Sequence, residues 1–396
     1  MMLKIWFLFM SFVTLFFLSG CWDSDELKDI GITTAIGIDK GGNNVEDRYR
    51  VTVQVVNPSQ ISGGQQGEKV QSSPVRNYST TGSTLSEALQ KMRKKSGTLF
   101  LPHLQLMVIG EEMAKEGIDE LFDVTERDAE LRAHFPVLII SGNTAEEALK
   151  ITTSLESIPS ESIIKSLKSV EKEWGEYTTI TAHEVIKQLN EGNLVIPGIQ
   201  IIGDIEKGNQ SENMQQISPN ARVNIEGMAL IKRGKLTTWI EKDAARGVNW
   251  IVNKINRTVT NLDCKEKEKA ISIEVVRAQS NIEVNVENQK PIIHVNVHAE
   301  GNVMEAQCNV DLENYAAIER LQTKLNEEIK NEILAAITVA NEEQSDYFGF
   351  NEKVNIADKK LWKKIKNEWD EEIFPETEVK VNVEAFIRRT GMRTKP

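Results

Sequence analysis

The sequence predicts an α+β fold: three dissimilar domains with mixed or antiparallel sheets flanked by helices. Three observations carry this. Strand-forming residues alternate near both ends, in Ile32, Thr34, Ile36 and Ile38 and again in Val379, Val381, Val383, Ala385 and Ile387. Apolar residues at three- and four-residue steps mark helices between them, the longest from about Leu312 to Ala340. The 396 residues are enough for two or three domains. The expected division is a signal segment over 1–20, an α/β domain over 21–152, a small mainly helical domain over 153–203, a linker over 204–220, and an α+β domain with a long amphipathic helix over 221–396.

Met1–Gly20 holds one charge, Lys4, and the 14 residues Ile5–Leu18 are apolar except for Ser11 and Thr14. That is the length of a signal-peptide core and short of the ~20 residues a spanning helix needs. Leu18-Ser19-Gly20-Cys21 follows, then the abruptly polar Asp23-Ser24-Asp25-Glu26. Leucine, small residues and cysteine form a bacterial lipobox. Small side chains let the extended chain enter a peptidase cleft, and the thiol receives a diacylglyceryl group. Cleavage before Cys21 makes residues 1–20 a lipoprotein signal peptide and Cys21 the lipid-attachment residue. The competing reading is an ordinary signal peptide or anchor with an incidental cysteine. Two or more acyl chains hold a protein stably on a bilayer. The mature chain loses Lys4 and no acid, so it is one charge more negative than the −12 of the whole. Anionic lipid repels such a surface, leaving the lipid to do the holding.

In the first domain the alternating runs Ile32–Ile38 and Tyr49–Val55 flank the turn formers Lys40–Asn44, which reads as a hairpin. Pro58–Gly82 has little apolar periodicity and is expected to be a loop. Thr84 with Glu87 opens a helix whose stripe is Leu85, Ala88, Leu89 and Met92, and Gly97 ends it. Leu104–Gly110 and Pro136–Gly142 read as strands, Glu112–Phe122 as a helix, and Thr144 with Glu147 as a second capping box. Strands alternating with helices indicate a mixed layer. The middle region carries a helical stripe of Ile163, Ile164, Leu167, Val170 and Trp174. A helix capped by Thr181 and Glu184 follows, then a short strand at Leu194–Pro197. Gly203–Asn220 is polar and is expected to be a linker. Beyond it, Val223–Lys232, Ile271–Val286 and Pro291–Ala299 read as strands and Glu241–Asn256 as helical. A helix around Lys359–Glu371 presents Trp362, Ile365 and Trp369 on one face, as core rather than as a ligand box.

Composition excludes several functions. A net charge of −12 does not suit a nucleic-acid binder, which needs a basic surface. A single long apolar run excludes a polytopic membrane protein. Walker, G-x-G-x-x-G, G-x-S-x-G and H-E-x-x-H motifs are absent. Ser162–Lys165 and Ser169–Lys172 match S-x-x-K without S-D-N or K-T-G, which chance supplies. His294 and His298 lie in a strand-like run, about 13 Å apart at ~3.3 Å per residue, too far to share one metal ion. No catalytic or metal residue is named, and neither an enzyme nor a cofactor is expected. Cys264 and Cys308 remain once Cys21 is lipidated. An outward-facing location permits a disulfide, and two free thiols are equally consistent with the sequence.

Four segments, in order, resemble one family. They are Gly20–Leu27 continuing to Ala35-Ile36-Gly37-Ile38-Asp39; Leu106–Ile118 with Arg127-Asp128; Glu226–Lys232 with Ala245-Arg246-Gly247; and Tyr347-Phe348-Gly349-Phe350 with Trp362, Trp369 and Ile387–Gly391. Together they resemble the Ger(x)C lipoproteins, the C subunits of bacterial spore germinant receptors, across essentially the whole mature chain. Asn351 departs from the pattern, where glycine is expected. The resemblance implies a non-enzymatic protein held through Cys21 to the outer face of the spore inner membrane. It also implies work with membrane A and B subunits in nutrient-triggered germination. Contact residues and any binding of the nutrient itself are left open. The alternative is a solute-binding lipoprotein of a transporter, which requires two similar lobes flanking a cleft.

Overall fold

The computed structural model describes residues 5–6, 31–56, 74–128, 131–153, 156–264 and 267–390. Cys21, most of the expected signal peptide and residues 58–73 of the expected loop lie outside them. The α+β class is observed, in two sheets.

The first sheet is built from β1 (Gly31–Lys40), β2 (Tyr49–Val56), β3 (Val75–Gly82), β4 (Leu99–Phe100), β5 (Leu106–Gly110), β6 (Val137–Ser141), β7 (Leu194–Gly203), β8 (Ala221–Lys232) and β9 (Lys235–Ile240). Its order is β3-β2-β1-β5-β6-β7-β8-β9, with β4 also beside β1. The centre is parallel, from β1 through β7, and both flanks are antiparallel. The connections carry α1 (Leu85–Ser96), α2 (Glu111–Glu116), α3 (Asp123–Arg127), α4 (Ala145–Ala148), α5 (Pro159–Glu173), α6 (Ala182–Glu191) and α7 (Ile205–Gly208). Central strands are buried on both faces, so they read as unbroken apolar runs. Leu106 and Val108 enter one core while Met107 and Ile109 enter the other, and Leu138 and Ile140 divide from Val137 and Ile139 in the same way.

After α8 (Lys242–Ile251) the chain forms the second sheet, β10 (Thr258–Cys264), β11 (Lys267–Glu287), β12 (Lys290–Ala306) and β13 (Glu378–Arg389), in that spatial order. Between β12 and β13 lie α9 (Tyr315–Glu342), α10 (Phe350–Ala357) and α11 (Lys359–Ile365). The 28 residues of α9 span roughly 42 Å. Its stripe Leu321, Leu325, Ile329, Ile333 and Ile337 is buried against the second sheet and α8. Side chains of the same helix also cover the sheet edge. Gln322 Oε1 accepts from the Ile387 N–H at 3.0 Å and Asn326 Oδ1 from the Ala385 N–H at 2.7 Å, satisfying edge groups that would otherwise invite another strand. Cys264 and Cys308 form a disulfide with Cα atoms 6.4 Å apart.

Several elements differ from their sequence expectation, each for a local reason. The end of the expected loop is β3, a sheet-edge strand of mostly polar residues (VRNYSTTG), where one face carries little apolar signal. The expected Glu112–Phe122 helix stops at Glu116 because Gly117 takes a φ of 142° and the Ile118 N–H turns to the Gly234 carbonyl, 2.8 Å away. In β10 the buried positions are Thr258, Thr260 and Leu262, so two of the three inward residues carry no apolar signal. The expected 359–371 helix ends at Ile365 and Trp369 begins a separate π-helical turn, yet the Trp362 and Trp369 rings still meet edge-on, with centroids 5.6 Å apart. The stretch expected as a linker holds α7 and a 3-10 turn at Ser211–Gln215. Within it the buried Asn213 amide donates to the Thr152 and Ala221 carbonyls. β7 and β8, on either side of it, are hydrogen-bonded neighbours in one sheet.

Candidate functional site

Cys21, the one residue the sequence assigns a function, lies outside the described residues. The rejected catalytic candidates are dispersed. Lys165 pairs with Glu156 at 2.5 Å and Lys172 with Glu173 at 3.0 Å, neither with a serine. Both histidines of the H-x-x-x-H pattern lie on β12 and face different neighbours, His298 the Glu384 carboxylate at 3.3 Å and His294 the Asn285 amide at 3.4 Å. What the structure does bring together are the family-like segments, each around a buried carboxylate.

The first carboxylate is Asp39, near the C-terminal end of β1. The carboxyl ends of parallel strands are the usual ligand edge of an open α/β sheet. Here the edge is occupied from within. Asp39 Oδ1 accepts from the Ala145 N–H at 2.7 Å and Oδ2 from the Glu146 N–H at 3.0 Å, so it caps the start of α4 across 106 residues of sequence. Thr144 completes the cap, exchanging hydrogen bonds with Glu147 as the sequence predicts. Burial pushes the Asp39 carboxyl up to about 6, against the lowering effect of the two backbone donors. Glu146 shares that burial, but ion pairs with Arg50 and Lys150 outweigh it and hold its carboxyl at about 2. Gly110, from the second family-like segment, completes the packing: a Cβ there would lie 2.2 Å from Asp39 Oδ1.

The second carboxylate is Glu332, in the middle of α9. Arg246 of α8 donates to it from Nε at 2.8 Å and from Nη2, and Trp250 Nε1 donates at 2.7 Å. Burial alone would lower the Arg246 pKa, but the Glu332 carboxylate outweighs it and the guanidinium stays charged. Gly247 lets the two helices close on this pair, since a Cβ there would sit 2.0 Å from the Glu332 carbonyl oxygen. The Ala245-Arg246-Gly247 segment is therefore the clasp between the helix that leaves the first sheet and the helix that covers the second.

Asp346 is the third. Its Oδ1 accepts from the N–H groups of Phe348 and Phe350 at 3.1 and 3.2 Å, and its Oδ2 from Asn351 N–H and Trp369 Nε1 at 2.7 and 2.9 Å. Burial raises its pKa despite these four donors. The loop Tyr347–Phe350 is wound around this side chain, and its aromatic rings pack at tilted angles against Phe374 and one another. Asn351, the departure from the family pattern, falls in the first turn of α10 and uses its N–H on Asp346.

These three hubs hold backbone and helices, and their oxygens are committed to internal donors. Their chemistry is that of a rigid scaffold. Sequence reasoning marked the surrounding segments but missed Asp39, Glu332 and Asp346 as their centres, because a single carboxylate among 59 acidic residues carries no local signature of burial. Among the described residues, no helix is long and apolar enough to cross a membrane.

Comparison with known proteins covers nearly the whole chain. A family described as "Spore germination protein N-terminal domain" matches residues 23–201, and one described as "Spore germination B3/ GerAC like, C-terminal" matches 226–391. Spore germination protein KC of Bacillus subtilis is 34% identical, over 96% of this chain and 94% of its own length. Spore germination protein YndF of the same organism is 26% identical, over 94% and 93%. The crystal structure of the GerBC protein shares the fold, with a TM-score of 0.55 at 20% identity, over 89% of this chain and 96% of that one.

Proposed function

Because the chain belongs to the Ger(x)C family of spore germination proteins, we propose that it is the lipid-anchored, non-enzymatic C subunit of a germinant receptor. In this reading it assembles with membrane A and B subunits and acts in nutrient-triggered germination. The family supports the role in germination and an association with spore membranes. The observation that carries the reading is collinearity with spore germination protein KC over 96% of the chain, behind the lipobox Leu18–Cys21. Two acyl chains on Cys21 would hold the acidic body to the outer face of the spore inner membrane without help from charge. Confinement to the bilayer plane raises its effective concentration near membrane partners. The solute-binding alternative requires two similar lobes, and sheets of nine and four strands do not supply them.

The test is a Cys21→Ala variant in spores. The expected outcome is loss of the protein from the inner membrane and a weakened germination response, with the purified body melting as in the wild type. Undiminished retention and response would remove the anchoring role. Crosslinking pull-down of the tagged wild type from spore membranes should recover A and B subunits, and recovery of neither would remove the assembly role.

A further inference from the structure

We propose that α11 presents a lysine face that binds anionic lipid headgroups. Five of the eight residues Lys359–Lys366 are lysines and none is acidic, in a chain with 59 acids to 47 bases. At about 100° per residue, Lys359, Lys360, Lys363, Lys364 and the C-cap Lys366 share an arc of about 160°. Leu361, Trp362 and Ile365 take the opposite arc. Leu361 is buried, and Trp362 and Ile365 pack against the core. All five lysines are exposed, and among the described residues none of them is in an ion pair. Asp358, the acid next to them, is committed to capping α11. It accepts from the Lys360 and Leu361 N–H groups at 2.9 and 3.0 Å.

The stability of α11 does not account for this face. Lys359 and Lys360 stand in the first turn, at the positive end of the helix, where acids are favoured. Lys359 with Lys363 and Lys360 with Lys364 are like-charge pairs four residues apart, which destabilise a helix. Lysines clustered on one face of an amphipathic helix are what an anionic lipid surface attracts. Ile356, near the end of α10 and 74% exposed, adds an apolar side chain of the kind that enters the headgroup boundary. Averaged over the chain, anionic lipid repels this protein. The Debye length at physiological salt is only ~8 Å, so a headgroup responds to the nearest charges rather than to the net charge. The exposed acids Glu352 and Glu368 lie beyond the two ends of the lysine run. The acyl chains supply the holding, and the lysine face decides which side of the body turns to the bilayer.

This inference goes beyond the receptor reading. The chain tested carries no lipid, so a failure here and a failure of the anchoring role are separate results. The mature chain, residues 21–396 with Cys21→Ala, is sedimented with phosphatidylcholine vesicles with and without phosphatidylglycerol. Binding is expected only to the vesicles with phosphatidylglycerol, and it should vanish at about 1 M salt, where the Debye length is ~3 Å. Near an anionic surface each lysine is worth about fivefold in partitioning. Replacing Lys359, Lys360, Lys363 and Lys364 together by glutamine should therefore weaken binding by about tenfold or more. The thermal midpoint should stay unchanged or rise, since the like-charge pairs are relieved. If that variant does not fold, Lys359→Gln with Lys363→Gln decides, again with about a tenfold loss. Arg93→Gln with Lys94→Gln, exposed on α1, should stay within about twofold of wild type. The proposal is overturned by binding that does not depend on phosphatidylglycerol, by no binding, or by a lysine variant within about twofold of wild type. It is equally overturned if the α1 variant loses as much. A lysine variant that binds vesicles normally but loses a protein from the membrane pull-down would assign the face to an acidic protein partner instead, and the proposal falls.

Discussion

Replacing Glu332 by glutamine tests the clasp between the two sheets. Arg246 is 8% exposed and Glu332 4%, so the pair is formed out of water. Glutamine keeps the shape and one acceptor for Trp250 Nε1 or Arg246, but leaves the guanidinium without its counter-charge. Removing one partner of a buried pair costs about 3–5 kcal/mol. Asp243 lies 3.8 Å from Arg246, but its side chain is 75% exposed, so water screens most of what it offers. The retained acceptor places the expectation at the lower end, about 3 kcal/mol. The assay is urea unfolding followed by tryptophan fluorescence, to which Trp250 reports directly, on wild type, Glu332→Gln, Arg246→Met and the double variant. In the double variant no buried charge is left alone, so it should be less destabilised than the two single losses together, with a coupling of about 2 kcal/mol. A Glu332→Gln loss under about 0.5 kcal/mol, or additive single effects, would refute the reasoning.

Asp39 should impose a pH dependence. Its folded carboxyl sits at about 6 against an ordinary 3.8, so its contribution is fully present below the lower value and is lost as pH rises through the higher. The difference is worth at most about 3 kcal/mol. The stability of wild type minus Asp39→Asn should therefore fall from pH 4 to pH 7 in urea titrations, and a flat or rising difference contradicts it. Gly110→Ala drives a methyl into a carboxylate pinned by two backbone donors and should cost about 1–3 kcal/mol, read as a lower urea midpoint; an unchanged midpoint would show that Asp39 is free to move. Reducing Cys264–Cys308, separated by 44 residues, frees a loop whose closure entropy is worth about 4 kcal/mol. The thermal midpoint should drop in reductant, and a midpoint that does not move would show that the unfolded chain gains nothing from the open loop.

The legible parts of the fold share one property: their signal is local. The stripe of α9 recurs every three or four residues because one face of that helix is buried along its length. β13 alternates because its inner face meets α9 and its outer face meets water. Capping boxes at Thr144 and Thr181 were readable because donor and acceptor lie three residues apart. Where the inward residues are threonines, as in β10, or where a strand sits at the sheet edge, as with β3, the local pattern fades and the strand was missed.

By itself the sequence determined the α+β class, the long helix and the segments that mark the family, all of which rest on residue type and near-neighbour spacing. Only the tertiary structure decided that Asp39 caps a helix 106 residues away, that Glu332 joins the two sheets through Arg246, that Cys264 meets Cys308, and that the buried Asn213 amide ties the stretch before β8 to its neighbours. Each of these depends on burial or on a meeting of distant residues. Burial gives a carboxylate or an amide its energetic weight, and burial belongs to the packed chain rather than to any stretch of its sequence.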